Sequence, residues 1–265
     1  MPQLTSFIFL LFCLLIPIGP AAAAADTAAS SELTGRDIAI LIDKADSSRD
    51  ARQTMLMVIE RGSAKLSRKM EMFTKKFPPD ERGLIRFLAP SDIRNTSYLT
   101  WSWDAPQHED DMWVFMPSEN LVRRISGGGK TGSFMRSDMA NEDIEKRSVL
   151  DDSQTLLRTE KMDGTDCWVV EYVPVDLSDT GYSKRVAWVR QDIHLPARID
   201  YYDKRGKLLK TARYGGFVEK DGIWRHTRMI MQTPRKKTRT LVQIADIQYN
   251  TGLPDTFFEQ SNLPR

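Results

Sequence analysis

Alternation with a period of two constrains this chain more than any other feature. Leu66, Arg68, Met70 and Met72 occupy one register; Lys65, Ser67, Lys69 and Glu71 occupy the other. Successive side chains of a strand point to opposite faces, so residues 65–72 read as a strand with one covered face and one wet face. Residues 54–60 and 81–89 are its expected neighbours. Alternation returns over 98–103, where Leu99, Trp101 and Trp103 share a face, and apolar runs follow at 112–116 and 121–125. Later strands are expected at 167–173, 184–190, 197–202, 208–217, 223–232 and 238–248. Turn signals separate them, among them Asp163-Gly164, Leu195-Pro196, Lys220-Asp221-Gly222 and Thr233-Pro234. A strand about every ten residues, without helical crossovers, describes an antiparallel meander and argues against a parallel α/β sheet.

Two segments depart from that rhythm. Thr34-Gly35-Arg36-Asp37 opens a helix: Thr34 caps it and Asp37 takes the capping-box position. Ile38, Leu41, Ile42 and Ala45 then form one apolar stripe, so the helix should lie on something. The second segment, 126–150, is rich in Gly, Ser, Asp and Met and shows no alternation. A stretch this long inside a compact sheet is uncommon unless it is functional or mobile. This segment and the helix at 36–47 are the expected lids.

Residues 7–16 are an unbroken apolar run, and Ala21 to Ala25 form an alanine block. A short apolar core followed by small residues is a secretory signal peptide, and the run is too short for a comfortable membrane span. The expected organisation is a signal peptide over 1–25, a flexible leader over 26–33 and one domain over 34–265. One cysteine, Cys167, remains after processing and reads as a buried structural thiol. With 38 Lys and Arg against 36 Asp and Glu, the net charge is +2, which argues against a dedicated nucleic-acid binder.

Several motifs have bland readings that outweigh the sharp ones. Gly127-Gly128-Gly129-Lys130-Thr131 lacks the earlier glycine of a phosphate loop, since neither Arg124 nor Ile125 is glycine. His108-Glu109-Asp110-Asp111 has no second histidine at a useful spacing, so no metal is assigned. There is no Gly-x-Ser-x-Gly elbow or other catalytic constellation. The protein is therefore read as a non-enzyme without cofactors. The run Arg235-Lys236-Lys237-Thr238-Arg239 reads as a solvated hairpin tip, with an anionic membrane surface or an acidic partner as the alternative.

Twelve methionines and six tryptophans are the richer signal. Flexible methionines and flat aromatics suit a sheet face that binds acyl chains of no fixed shape. The residues expected to line it are Met70, Met72, Leu99, Trp101, Trp113, Phe115 and Trp188.

The segments Asp111-Met112-Trp113-Val114-Phe115-Met116-Pro117, Arg123-Arg124-Ile125, Gly132-Ser133-Phe134-Met135-Arg136-Ser137-Asp138 and Glu142-Asp143 carry a family resemblance. They resemble the outer-membrane lipoprotein-sorting-like proteins of the LolA/LolB-like superfamily. The resemblance spans 34–262 in strand rhythm, and its specific part is 93–145. One departure is Arg136, where the family pattern favours glycine; a left-handed backbone there would be strained by arginine. The resemblance implies a mainly β, α+β fold, a half-open antiparallel β-barrel covered by short helices. It also implies a periplasmic carrier for the acyl chains of lipids or lipoproteins. Gly132, Ser133, Phe134, Met135, Ser137 and Asp138 would then belong to its lid. The alternative it implies is an accessory module docking on an inner-membrane transporter, a lipid exporter of the resistance-nodulation type.

Overall fold

The structure, a computed structural model, describes residues 1, 33–105, 108–178 and 180–264. The signal-peptide and leader readings fall outside the described residues, apart from Met1 and Leu33. Leu33–Arg265 forms one compact unit.

The described residues contain thirteen strands and one α-helix. The strands are β1 (Asp50–Arg61), β2 (Ala64–Phe77), β3 (Asp80–Ala89), β4 (Ser97–Ser102), β5 (Asp111–Met116), β6 (Leu121–Ile125), β7 (Asp152–Met162), β8 (Thr165–Pro174), β9 (Tyr182–Arg190), β10 (Pro196–Asp203), β11 (Leu208–Lys220), β12 (Ile223–Thr233) and β13 (Thr238–Tyr249). They form one antiparallel sheet in the order β6-β5-β4-β3-β2-β1-β13-β12-β11-β10-β9-β8-β7. Two meanders of hairpins thus join at the β1–β13 pair. The sheet curves but does not close, which is the expected half-open architecture. β7 was not expected from the sequence.

The two free edges, β6 and β7, are neighbours in sequence. The irregular segment between them, 126–151, must therefore run from one edge to the other across the inner face. We call it the strap. It contains four 3-10 turns, Gly127–Gly129, Phe134–Arg136, Asn141–Ile144 and Val149–Asp151.

The helix α1 (Gly35–Ala45) begins as its sequence requires. Thr34 Oγ1 accepts from the Asp37 N–H at 3.2 Å, and the Thr34 N–H donates to Asp37 Oδ2 at 2.9 Å. Ile38 is fully buried against Val170, Ala187 and Val189, so the apolar stripe plugs the β7–β9 side of the inner face. Gly35 permits the approach: a Cβ there would stand 2.7 Å from the backbone of Gln154, Thr155 and Leu156 on β7.

Each face of the sheet has its own cluster. The inner face packs Ile59, Ile85, Phe87, Tyr98, Met112 and Val114 against Phe134 of the strap. The outer face packs Phe73, Leu84, Leu99, Trp113 and Phe115 against Phe258 and Leu263 of the C-terminal tail.

Candidate functional site

The inner face is not filled everywhere. Between the sheet and the strap lies a cavity of about 300 Å³. Seven methionines line it: Met55 and Met57 of β1, Met70 and Met72 of β2, Met139 of the strap, and Met229 and Met231 of β12. Strand register brings them together from distant parts of the chain. Met55 faces Met70 on one side and Ile244 on the other; Met57 faces Val242, which in turn faces Met229. Unbranched thioether side chains fill irregular space and repack at little cost, so this wall can adapt to an apolar guest.

Polar groups mark one end of the cavity. Gln53 is 4% exposed; its amide donates towards Met72 Sδ at 3.4 Å, and its Oε1 has no hydrogen-bond partner among the described residues. Arg225 pairs with Asp46 at 2.7 Å. Lys146 of the strap bridges Asp43 of α1 at 2.9 Å and Glu81 of β3 at 3.4 Å. Burial pushes the Glu81 carboxyl above its ordinary pKa despite Lys146. Burial opposes the charge on Lys146, but Glu81 and Asp43 outweigh it and hold its pKa up. Asp46, Glu81 and Lys146 also border a second cavity of about 330 Å³ beneath α1, lined by Ile42, Tyr172, Ala187 and Ile199.

The strap is fastened by buried polar groups. Lys210 of β11 pairs with Asp143, and both side chains are 4% exposed. Tyr182 donates its hydroxyl to Asp143 Oδ1 at 2.8 Å, and the Lys210 ammonium sits 5.1 Å from the ring centres of both Tyr182 and Tyr201. Burial pushes the Tyr182 and Tyr201 hydroxyls far up, and the neighbouring Asp143 charge adds to it. Glu142 accepts from the Thr180 hydroxyl at 2.5 Å and the Gly181 N–H at 2.9 Å. Asp138 accepts from the hydroxyls of Thr238 and Thr240 on β13. Towards β1 and β2 the strap is held by its carbonyls: Arg61 donates to Arg136 O at 2.5 Å and Arg68 to Met135 O at 3.5 Å.

The residues expected from sequence fall in several places. Met70 and Met72 line the cavity. Leu99, Trp101, Trp113 and Phe115 lie on the outer face, in the cluster closed by the C-terminal tail. Trp101 and Trp113 meet edge to face at 4.9 Å, and Arg82 stacks 4.2 Å from the Trp101 ring centre. Trp188 is on the outer face too, with Cys167, Val169 and Val186. Of the strap residues, Phe134 is buried over the cavity and Met135 packs beside it, with its sulfur accepting from the Tyr98 hydroxyl at 3.3 Å. Ser133 donates to Ser137 O at 2.6 Å, and Gly132 closes a turn on Gly129 O at 3.1 Å. Met135 and Arg136 both have left-handed backbone, at φ 46° and 66°. Arg136 therefore occupies the strained conformation that the departure from glycine suggested. Sequence reasoning missed Met55, Met57, Met139, Met229 and Met231, whose common signal is methionine in inward register.

Lys130, next to the triple glycine, is buried 3.6 Å from both Glu109 and Glu145, so it faces carboxylates.

A family model whose description reads only as an uncharacterized protein matches residues 79–265. Among solved structures, a DUF1329 family protein from Desulfovibrio piger is 41% identical, with a TM-score of 0.84 over 86% of this chain and 97% of that one. The chain belongs to the DUF1329 family. This DUF1329 member is also similar to a structure described as an outer membrane lipoprotein-sorting protein domain, from Vibrio parahaemolyticus. That match has 29% identity and a TM-score of 0.83, covering 87% of this chain and 98% of the other. A LolA superfamily protein from Nitrosomonas europaea is 26% identical, with a TM-score of 0.70, 87% of this chain covered and 99% of that one. The DUF1329 fold seen here is thus LolA-like. No curated protein matches the chain.

Proposed function

We propose that this protein is a periplasmic carrier that holds acyl chains of lipids or lipoproteins in the methionine-lined cavity beneath the strap. The observation that carries the reading is the set of seven methionines converging on one cavity from β1, β2, β12 and the strap. An acyl chain in water costs about 0.8 kcal/mol for each exposed methylene. A dry cavity removes that cost, and an adaptable wall accepts chains of differing length. Release requires a wall that moves; the strap lies outside the sheet, and opening it would break the Asp143–Lys210 fastening.

Native mass spectrometry of protein extracted gently from the periplasm tests the proposal. The expected result is co-purifying lipid, reduced in Met229→Trp, which fills the cavity at a cost of about 1–3 kcal/mol in overpacking. Protein that is empty and also fails to take up lipid from micelles would sink the reading.

A further inference from the structure

Three hairpin turns sit together at one end of the sheet. They join β1 to β2, β10 to β11 and β12 to β13, and the pairing of Arg61 with Thr238 and of Thr211 with Gln232 fixes their common level. Arg61, Lys65, Lys204, Arg205, Lys207, Arg235, Lys236 and Lys237 all lie on or beside them. Behind the turns, under the strap, is a separate pocket of about 420 Å³.

Arg61, Lys204, Lys210 and Lys236 line that pocket, with hydroxyl groups from Ser133 and Ser137. Its two carboxylates are already engaged: Asp138 by the hydroxyls of Thr238 and Thr240, Glu142 by Thr180 and Gly181. Lys210 is neutralised by Asp143. Arg61 and Lys204 donate to the carbonyls of Arg136 and Leu177, which satisfies N–H groups but cancels no charge. Asp176 is held down partly by the field of Lys204 without forming an ion pair with it. Among the described residues, Arg61, Lys204 and Lys236 form no ion pair. Asp138 and Glu142 keep their charges, but among the lining groups four cations face two carboxylates, and this positive balance favours an anion with several oxygen acceptors.

The pocket adjoins the apolar cavity, and Met139 lines both. Rotation of the flexible Met139 side chain would join the two, so that an amphiphile could place its charged head among the lysines and its chain in the cavity. We propose that this pocket binds a phosphate-bearing headgroup, so that the cargo is an anionic phospholipid. This rests on the lipid-carrier reading and adds the identity of the head.

Isothermal titration of the purified protein tests it with three probes: lauroyl lysophosphatidic acid, monolauroylglycerol with the same tail and no charge, and glycerol 3-phosphate with the head alone. The expected result is at least tenfold tighter binding of the lysophosphatidic acid than of monolauroylglycerol. Lys204→Gln/Lys236→Gln should erase that advantage and leave monolauroylglycerol affinity unchanged. Both residues are exposed, and Lys236→Gln alone offers a second variant with a smaller loss in the same direction. Equal affinity for the two lipids, unaltered in the variants, overturns the headgroup proposal while the carrier reading stands. Glycerol 3-phosphate binding as tightly as the lysolipid makes the pocket a site for free phosphate esters and overturns the lipid assignment. Absence of binding by either lipid overturns both readings.

Discussion

The indole N–H of Trp101 donates to the backbone carbonyl of Phe258 at 2.9 Å, across 157 positions of sequence. Phe258 is fully buried at the same place, beneath Phe77 and Phe257, whose rings lie 6.1 and 5.8 Å away. The tail is therefore clasped to the outer face at β4. Phe258→Ala should cost about 3–5 kcal/mol by leaving a cavity in a packed cluster. Trp101→Phe removes only the hydrogen bond and should cost about 1 kcal/mol. Limited proteolysis should find both variants cut earlier near residues 253–264. Lipid binding per folded molecule should not change, because neither residue borders the inner cavity.

The Asp143–Lys210 pair fastens the strap in a site almost closed to water. Removing one partner of a buried pair strands the other charge, which typically costs about 3–5 kcal/mol. Asp143→Ala and Lys210→Ala should each lower the urea midpoint strongly. The double variant should lose clearly less than the sum, and a double-mutant cycle by urea unfolding checks it.

Burial, helped by the Arg225 charge, lowers the His226 imidazole from 6.5 to about 4. Below about pH 6.5 the unfolded chain takes up a proton that the folded protein refuses, so stability falls as the pH drops from there towards 4. Asp110 has the opposite sign. Burial raises its carboxyl from 3.8 to about 6, so stability falls as the pH rises through that window and the penalty is complete above about 6. His226→Phe should flatten the acid limb of a plot of Tm against pH. Asp110→Asn should raise Tm most at pH 8, by less at pH 5, and change it little below about pH 3.8.

Arg136 carries a Cβ in a left-handed conformation that glycine adopts freely. Its carbonyl, not its side chain, receives Arg61. Arg136→Gly should therefore preserve the contact and stabilise the protein by up to about 1 kcal/mol, measured by urea denaturation.

Much of this architecture was legible where one face was polar and the other was not. The alternation from Leu66 to Met72 gave both the strand and its inward side, because lysines and Glu71 marked the wet face. In β4 and β5 both faces are covered: Tyr98 and Met112 look inward while Leu99 and Trp113 look outward. Without a polar face, density of aromatic rings pointed to the outer cluster, and the methionine cavity was only half found. β7 escaped notice because it is an edge strand with a mostly exposed pattern; Leu156 and Leu157 are adjacent in sequence, so no period of two can show. The strap was visible as a break in rhythm. Its anchorage was not, since Asp143 and Lys210 are 67 positions apart and only the fold makes them neighbours.

The meeting of β1 with β13 at the middle of the sheet has a consequence for synthesis. A chain shortened before Thr238 would lose not a margin but the joint, leaving β1 and β12 as two long unpaired templates of opposite halves. Such templates recruit other chains edge to edge, so a truncated product should aggregate rather than persist as a smaller folded unit.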